Sequence, residues 1–130
     1  MTGSRAFLDS NIIIEVFSGN SSIADKIHQL SDFYISTIVL GELYVGINRV
    51  VNKDKHLKKL QAFLELANII DIDQSTSVLF GEISAELYKK GKPIPTNDIW
   101  IAASIRQYNF TLITRDKHFN AISDLSIESW

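Results

Sequence analysis

Four acidic residues, Asp9, Glu42, Asp98 and Asp116, stand where a chain of alternating strands and helices would carry their side chains to one edge. Ionised carboxylates gathered in one place repel one another, so such a site must hold protons, keep its acids apart, or bind a cation. No lysine offers itself as a permanent partner inside the cluster. Oxygen ligands without cysteine or clustered histidine select a hard ion, Mg²⁺ or Mn²⁺, over zinc. His28, His56 and His118 are far apart in the chain, lack a ligand spacing, and read as ordinary surface or packed side chains. One or two hard ions held by four acids could activate water, neutralise a phosphodiester and stabilise the departing oxygen of an in-line displacement, which is nuclease chemistry.

The elements that must position these acids are clearest over residues 93–119. Pro95 ends the preceding segment and Thr96 or Asn97 can cap a helix, whose apolar face would be Ile99, Ala102, Ala103 and Ile105. Asp98 then sits in the first turn. After a break at Asn109, Thr111 to Thr114 reads as a strand buried on both faces, with Asp116 just past its end. Singly, an acid in a first turn commonly does no more than favour the helix dipole, and an acid after a strand is commonly a turn residue. Only convergence gives these two a further role.

Toward the N-terminus, Arg5 to Leu8 reads as a strand that ends at Asp9, followed by a buried helix start at Ile12 to Phe17. Gly19 to Ser22 make a turn and cap before an amphipathic helix carrying Ile23, Ile27 and Leu30. Phe33 to Ser36 is a second strand. Thr37 can cap the next helix, with Leu40, Leu43 and Ile47 on one face, Glu42 on another, and Gly41 and Gly46 suggesting close packing or ligand approach. Lys53 to Ala67 is strongly helical, with Lys55, Lys58 and Lys59 outward on what reads as a solvated face in preference to an RNA-binding patch. Ile69 to Ile72 is a third strand, and Asp73 caps a helix with Val78, Leu79, Ile83 and Leu87 inward that stops at Gly91. Lys89, Lys90 and Lys92 favour that helix terminus, and Lys92, which precedes Asp98, is also a candidate contact to substrate phosphates. Lys117 to Ile122 is a short helix and Leu125 to Glu128 a last strand.

This alternation implies an α/β fold with a mainly parallel sheet of four to five short strands flanked by helices, where ligands bind beyond the carboxyl ends of the strands. The 130 residues fit one domain over 1–130, and 45% hydrophobic content with a mean hydropathy of +0.05 excludes wholesale disorder. No apolar run approaches the length of a membrane span, and Met1 to Arg5 do not open a signal peptide, so a cytoplasmic location without a membrane partner is expected. The absence of cysteine excludes disulfides, thiolate metal sites and a cysteine nucleophile. A net charge of −2 argues against nucleic acid at first sight, but setting the four acids aside leaves 13 basic residues against 11 acids. A phosphate backbone could tolerate that surface.

Phe7-Leu8-Asp9-Ser10-Asn11, Ser36 to Leu43 with Gly46, Asn97-Asp98-Ile99-Trp100-Ile101-Ala102-Ala103 and Leu112-Ile113-Thr114-Arg115-Asp116-Lys117-His118-Phe119 together closely resemble the PIN-domain ribonucleases, in their small VapC-type toxin form. The resemblance runs over nearly the whole chain, to Ile127-Glu128-Ser129-Trp130. It implies a PIN-like fold with Asp9, Glu42, Asp98 and Asp116 as the catalytic, metal-binding quartet, Asp9 and Asp98 being the most direct ligands. Asn11 and Thr114 would orient the acids. It implies Mg²⁺-dependent endonucleolytic cleavage of RNA, with Mn²⁺ as a substitute, leaving a 5′-phosphate and a 3′-hydroxyl. A homodimer and a VapB-like antitoxin that covers the crevice, often with an arginine against the acids, are implied as well. Trp100 is bulkier than the pattern leads one to expect. Arg115, beside the site, either binds RNA phosphate or reaches solvent.

Other readings of the same acids are a PIN-like RNA-processing nuclease without an antitoxin, a non-catalytic RNA- or protein-binding module, and an aspartate-based phosphatase or phosphoryl acceptor. Asp9-Ser10-Asn11 lacks the second aspartate expected two residues after a phosphatase nucleophile, and Asp116 stands where a receiver domain would want lysine. A binding module would be expected to lack one or more of the acids, and all four are present.

Overall fold

Short β-branched and aromatic runs build strands of three residues each, and nearly every strand leads directly into a helix. The computed structural model describes residues 5–130, so Met1 to Ser4 and the N-terminal reading that rests on them lie outside the described residues. In chain order the elements are β1 (Ala6–Leu8), α1 (Ser10–Phe17), α2 (Ser21–His28), β2 (Tyr34–Ser36), α3 (Thr37–Ile47), α4 (Lys53–Leu64), β3 (Asn68–Ile70), α5 (Gln74–Lys90), α6 (Thr96–Tyr108) and β4 (Thr111–Ile113). A 3₁₀ helix (Lys117–Ala121) and β5 (Ser126–Glu128) complete the fold.

All five strands lie parallel in one sheet, in the order β3-β2-β1-β4-β5. The chain winds outward from β1 in both directions, which makes the gap between β1 and β4 the topological switch point of the sheet. Register there pairs Leu8 with Ile113, and the Asp9 amide donates to the Ile113 carbonyl at 3.0 Å. The two central strands therefore end together, and the residues just past them, Asp9 on one side and Thr114 to Asp116 on the other, emerge side by side. Phe7, Leu8, Ile35, Ile101, Leu112 and Phe119 are completely buried around this edge, so the backbone that carries the acids is fixed by the core. No helix among the described residues is long and apolar enough to cross a membrane.

Several local expectations are corrected. Ser36, not Thr37, caps α3, its hydroxyl accepting from the Val39 amide at 3.4 Å. The buried face of α3 runs through Val39, Leu43 and Ile47, with Leu40 only partly covered. Val78 is 65% exposed, because the start of α5 is held by Asp73 and Thr76 and turns Thr76, not Val78, into the protein. Pro95 occupies the cap position of α6 with no side-chain bond, leaving Thr96 and Asn97 inside the helix. A Cβ added at Gly41 or Gly46 would meet nothing within 4 Å, so close packing does not explain either glycine. Trp100 finds its place stacked on Phe80 of α5, ring centroids 4.0 Å apart. Lys59 is half-buried and donates to the Phe17 carbonyl at 3.0 Å, a cation at the end of α1 where the helix dipole favours one.

Candidate metal centre

Asp9 is both the first acid and the cap of α1. Its Oδ1 accepts from the Ser10 amide at 2.8 Å, which fixes the carboxylate at the helix N-terminus. Its Oδ2 accepts from the Thr114 hydroxyl at 2.7 Å and from Asn11 Nδ2 at 3.3 Å. Thr114 is itself buried, and its oxygen also accepts from the Asp116 amide at 3.0 Å. Asn11 closes the circuit, donating to Thr114 at 3.3 Å and accepting from the Arg115 amide at 3.1 Å. One threonine hydroxyl thus ties the acid after β1 to the segment after β4.

Glu42 projects from the second turn of α3 into the same region, where its Oε1 accepts from the Ser10 hydroxyl at 3.3 Å. Burial raises its pKa, and the nearby charges of Asp9 and Asp98 raise it further against the opposing bonds from Ser10 and Asn97. Asp9 is likewise raised, first by burial and then by Asp116, although Thr114, Ser10 and Asn11 pull it down. Ser10 carries no signal in the sequence beyond its place beside Asp9.

Asp98 lies in the first turn of α6, 7% exposed, with its pKa pushed up to about 6 by burial and then by the charges of Asp116 and Asp9. Asp116 caps the 3₁₀ helix, accepting from the His118 amide at 2.9 Å. Between these two acids stands the imidazole of His118, its Nδ1 3.1 Å from Asp98 Oδ2 and 3.0 Å from Asp116 Oδ1. The hydrogen bond to Asp98, with the charge of Asp116, raises the His118 pKa. The histidines do not all read alike after all: His118 joins the acids because a tight 3₁₀ turn folds it back over Asp116. The available signal was its place two residues after an acid at a strand end.

The two basic candidates are placed differently. Arg115 points away along α1, pairing with Glu15 at 3.2 Å and donating to the Trp130 carbonyl at 2.9 Å. Lys92 is exposed in the turn between α5 and α6, beside an apolar hollow lined by Leu87, Tyr88, Ile94 and Ile99.

This donor set fits a divalent cation. One ligand atom from each of Asp98, Asp116 and His118 lies within 4.8 Å of the others. Three buried or half-buried carboxyls have raised pKa values, so their charged forms call for a cation. Among the described residues neither lysine nor arginine is ion-paired with any of the four acids. Burial, ahead of the mutual repulsion of the acids, is the largest cause of the shift in all three cases.

Comparison with known proteins adds the context of relatives. The family model of the PIN domain matches residues 6–125. Ribonuclease VapC2 of Rickettsia felis is 35% identical over 118 residues, 90% of this chain and 81% of that protein. Ribonuclease VapC2 of Haemophilus influenzae is 32% identical over 129 residues, 97% of this chain and 98% of that protein. Among solved structures, VapBC2 from Rickettsia felis, bound to a DNA fragment from its promoter, contains a chain that superposes with a TM-score of 0.91 at 32% identity, covering 96% of this chain and 98% of that one.

Proposed function

This chain belongs to the PIN domain family, and from that premise we propose that it is a metal-dependent endoribonuclease of the VapC type, the toxin of a toxin–antitoxin pair. The observation that carries the proposal is the meeting of Asp9, Glu42, Asp98 and Asp116 at the carboxyl edge of β1 and β4, where Thr114, Asn11 and Ser10 hold Asp9, Glu42 and the Asp116 backbone and His118 bridges Asp98 and Asp116. The whole span of residues 1–130 then acts as one PIN unit.

Asp9, Glu42, Asp98 and Asp116 would hold Mg²⁺, with Mn²⁺ as a substitute, and the bound ion supplies Lewis acidity to water and to phosphate oxygens. The chain's own part is positioning. Thr114 and Asn11 donate to one oxygen of Asp9 and leave the N-terminus of α1 to hold the other, so that carboxylate needs no reorganisation as substrate arrives. Burial of Asp98 and Asp9 excludes water from all but the open side, which strengthens each electrostatic interaction with a scissile phosphate. Arg115 is already engaged by Glu15 and Trp130, which leaves the exposed Lys92 as the freer of the two to meet RNA phosphate.

A VapB-like antitoxin is the partner this reading requires, since the solved relative is a VapBC complex. The surface supports one: Ile14, Val45 and Val51 are exposed, beside a groove lined by Phe17, Leu43, Ile47 and Val50. The reading also carries a homodimer, a cytoplasmic location and products ending in a 5′-phosphate and a 3′-hydroxyl.

Labelled total RNA incubated with purified protein in Mg²⁺, Mn²⁺ or EDTA tests the proposal, beside Asp9→Asn and Asp98→Asn prepared identically. Metal-dependent cutting that both substitutions abolish is expected. Cutting that survives both substitutions would mean that the four acids are not the active site.

A further inference from the structure

We infer that His118 is a further ligand of the divalent cation held by Asp98 and Asp116, and that its imidazole nitrogen biases this part of the site toward Mn²⁺ over Mg²⁺. The inference rests on the metal-dependent reading of the four acids and adds one residue to it.

Geometry carries the argument. Adjacent donors of an octahedral ion bound at roughly 2.1 Å stand about 3.0 Å apart. His118 Nδ1 is 3.1 Å from Asp98 Oδ2 and 3.0 Å from Asp116 Oδ1, so both edges already have the separation that a shared ion demands. This placement does not depend on the imidazole alone. The Asp116 carboxylate accepts from the His118 amide, and Phe119, fully buried next in the chain, anchors the 3₁₀ turn. Acid and imidazole are thus oriented toward each other by the backbone and the core.

Residue chemistry points the same way. A neutral imidazole carries a lone pair on one ring nitrogen, which lysine and arginine cannot offer, so it can exchange a hydrogen bond to the acids for a bond to an ion that replaces it. The His118 side chain is 53% exposed, which leaves the outer side of the site open to water and substrate. Carboxylates and water suit Mg²⁺, whereas imidazole adds affinity for first-row transition ions. The other histidines have different surroundings: His56 lines the apolar groove beside Leu43 and Val50, and His28 stands near Ser31 and Asp32.

Electron-spin-echo measurements on the Mn²⁺-loaded parent protein test the contact directly, because a coordinated imidazole imposes a nitrogen coupling on the manganese signal. That coupling is expected in the parent and absent in His118→Ala. In parallel, Mn²⁺ titration with Mg²⁺ competition should show His118→Ala losing about tenfold in Mn²⁺ affinity and much less in Mg²⁺ affinity. A parent that binds Mn²⁺ without nitrogen coupling would overturn the inference while leaving the acids as ligands. So would a His118→Ala protein that binds both ions as well as the parent or more tightly, since the histidine would then only occupy the space. A parent that binds no Mn²⁺, or an Asp98→Asn protein that binds it like the parent, would sink the metal reading of the acids and this inference with it.

Discussion

Asp98 is buried at a cost to the fold. Its carboxyl is buried and its pKa lies at about 6 against an ordinary value of 3.8. Below the ordinary value the folded and unfolded states both carry the proton, and no penalty arises. As pH rises from there through about 6, the unfolded chain gives the proton up while the folded protein keeps it, so stability falls, and the loss is complete above that window. Asp98→Asn should therefore melt higher than the parent near neutral pH in EDTA, by the equivalent of on the order of 1–3 kcal/mol, with the gap closing near pH ~4. Calorimetry of both proteins across that range checks it, and a variant that melts lower at neutral pH contradicts it. Thr114 works in the opposite sense. Its hydroxyl donates to Asp9 and accepts from the Asp116 amide, so Thr114→Val keeps the shape and leaves both partners short of a bond. We expect single-turnover RNA cleavage to fall about 10- to 100-fold, and stability to drop by about 1–2 kcal/mol. Unchanged cleavage in Thr114→Val would remove it from the group that orients Asp9.

At the scale of elements, the features legible in the sequence were those that local chemistry decides. Gly91 and Asn109 end α5 and α6 in left-handed conformations, at φ 64° and 56°. Asp73 caps α5 by accepting from the Thr76 amide at 3.0 Å, and the Thr76 hydroxyl oxygen accepts in turn from the Asp73 amide at 3.1 Å. The strand ends and the helices that start beside them were readable too, and with them the edge to which Asp9, Glu42, Asp98 and Asp116 come. The features that were not readable depended on neighbours distant in sequence. On α3, Leu43 and Ile47 lie inward as expected, but Val39 and not Leu40 completes the face, because the i, i+4 spacing of Val39, Leu43 and Ile47 and the i+3 spacing of Leu40 both suit a helix and only the packed neighbours choose between them. His118 looked isolated because a 3₁₀ turn has no sequence period that would place it against Asp98, 20 residues away. Asp73 also yields a prediction with a defined sign. Its pKa is lowered, first by the bond from the Thr76 amide and then by Gln107, so its contribution is present above the ordinary value of 3.8 and is lost as pH falls through the lower folded value. Asp73→Ala should melt below the parent near neutral pH, and the difference should shrink as both are acidified to about pH 3. A difference that stays constant with pH would show that the charge of Asp73 takes no part in the cap.

For the whole molecule, the sheet order explains why a chain of net charge −2 can hold so dense a cluster of acids. Because β1 is the centre from which the chain winds both ways, the helix after β1 and the turn after β4 open on the same crevice, and α3 and α6 enter it from the sides. Burial of Asp9 and Asp98 disfavours their charged forms, the bonds from Thr114, Asn11, Ser10 and His118 offset part of that penalty, and a bound cation would stabilise the charged cluster further. Binding of an ion by the native state alone raises stability by RT ln(1 + [L]/Kd), about 2.7 kcal/mol at a hundredfold excess over Kd. The parent and Asp98→Asn should consequently exchange rank. In EDTA the variant is the more stable protein, while in saturating Mg²⁺ the parent gains and the variant, short of a ligand, gains little. Thermal melts of the two proteins against Mg²⁺ concentration test this crossing, with an equal ionic strength of sodium chloride as control. If both proteins respond to Mg²⁺ alike, or if sodium reproduces the gain, the ion is screening diffuse surface charge and the crevice is not its site.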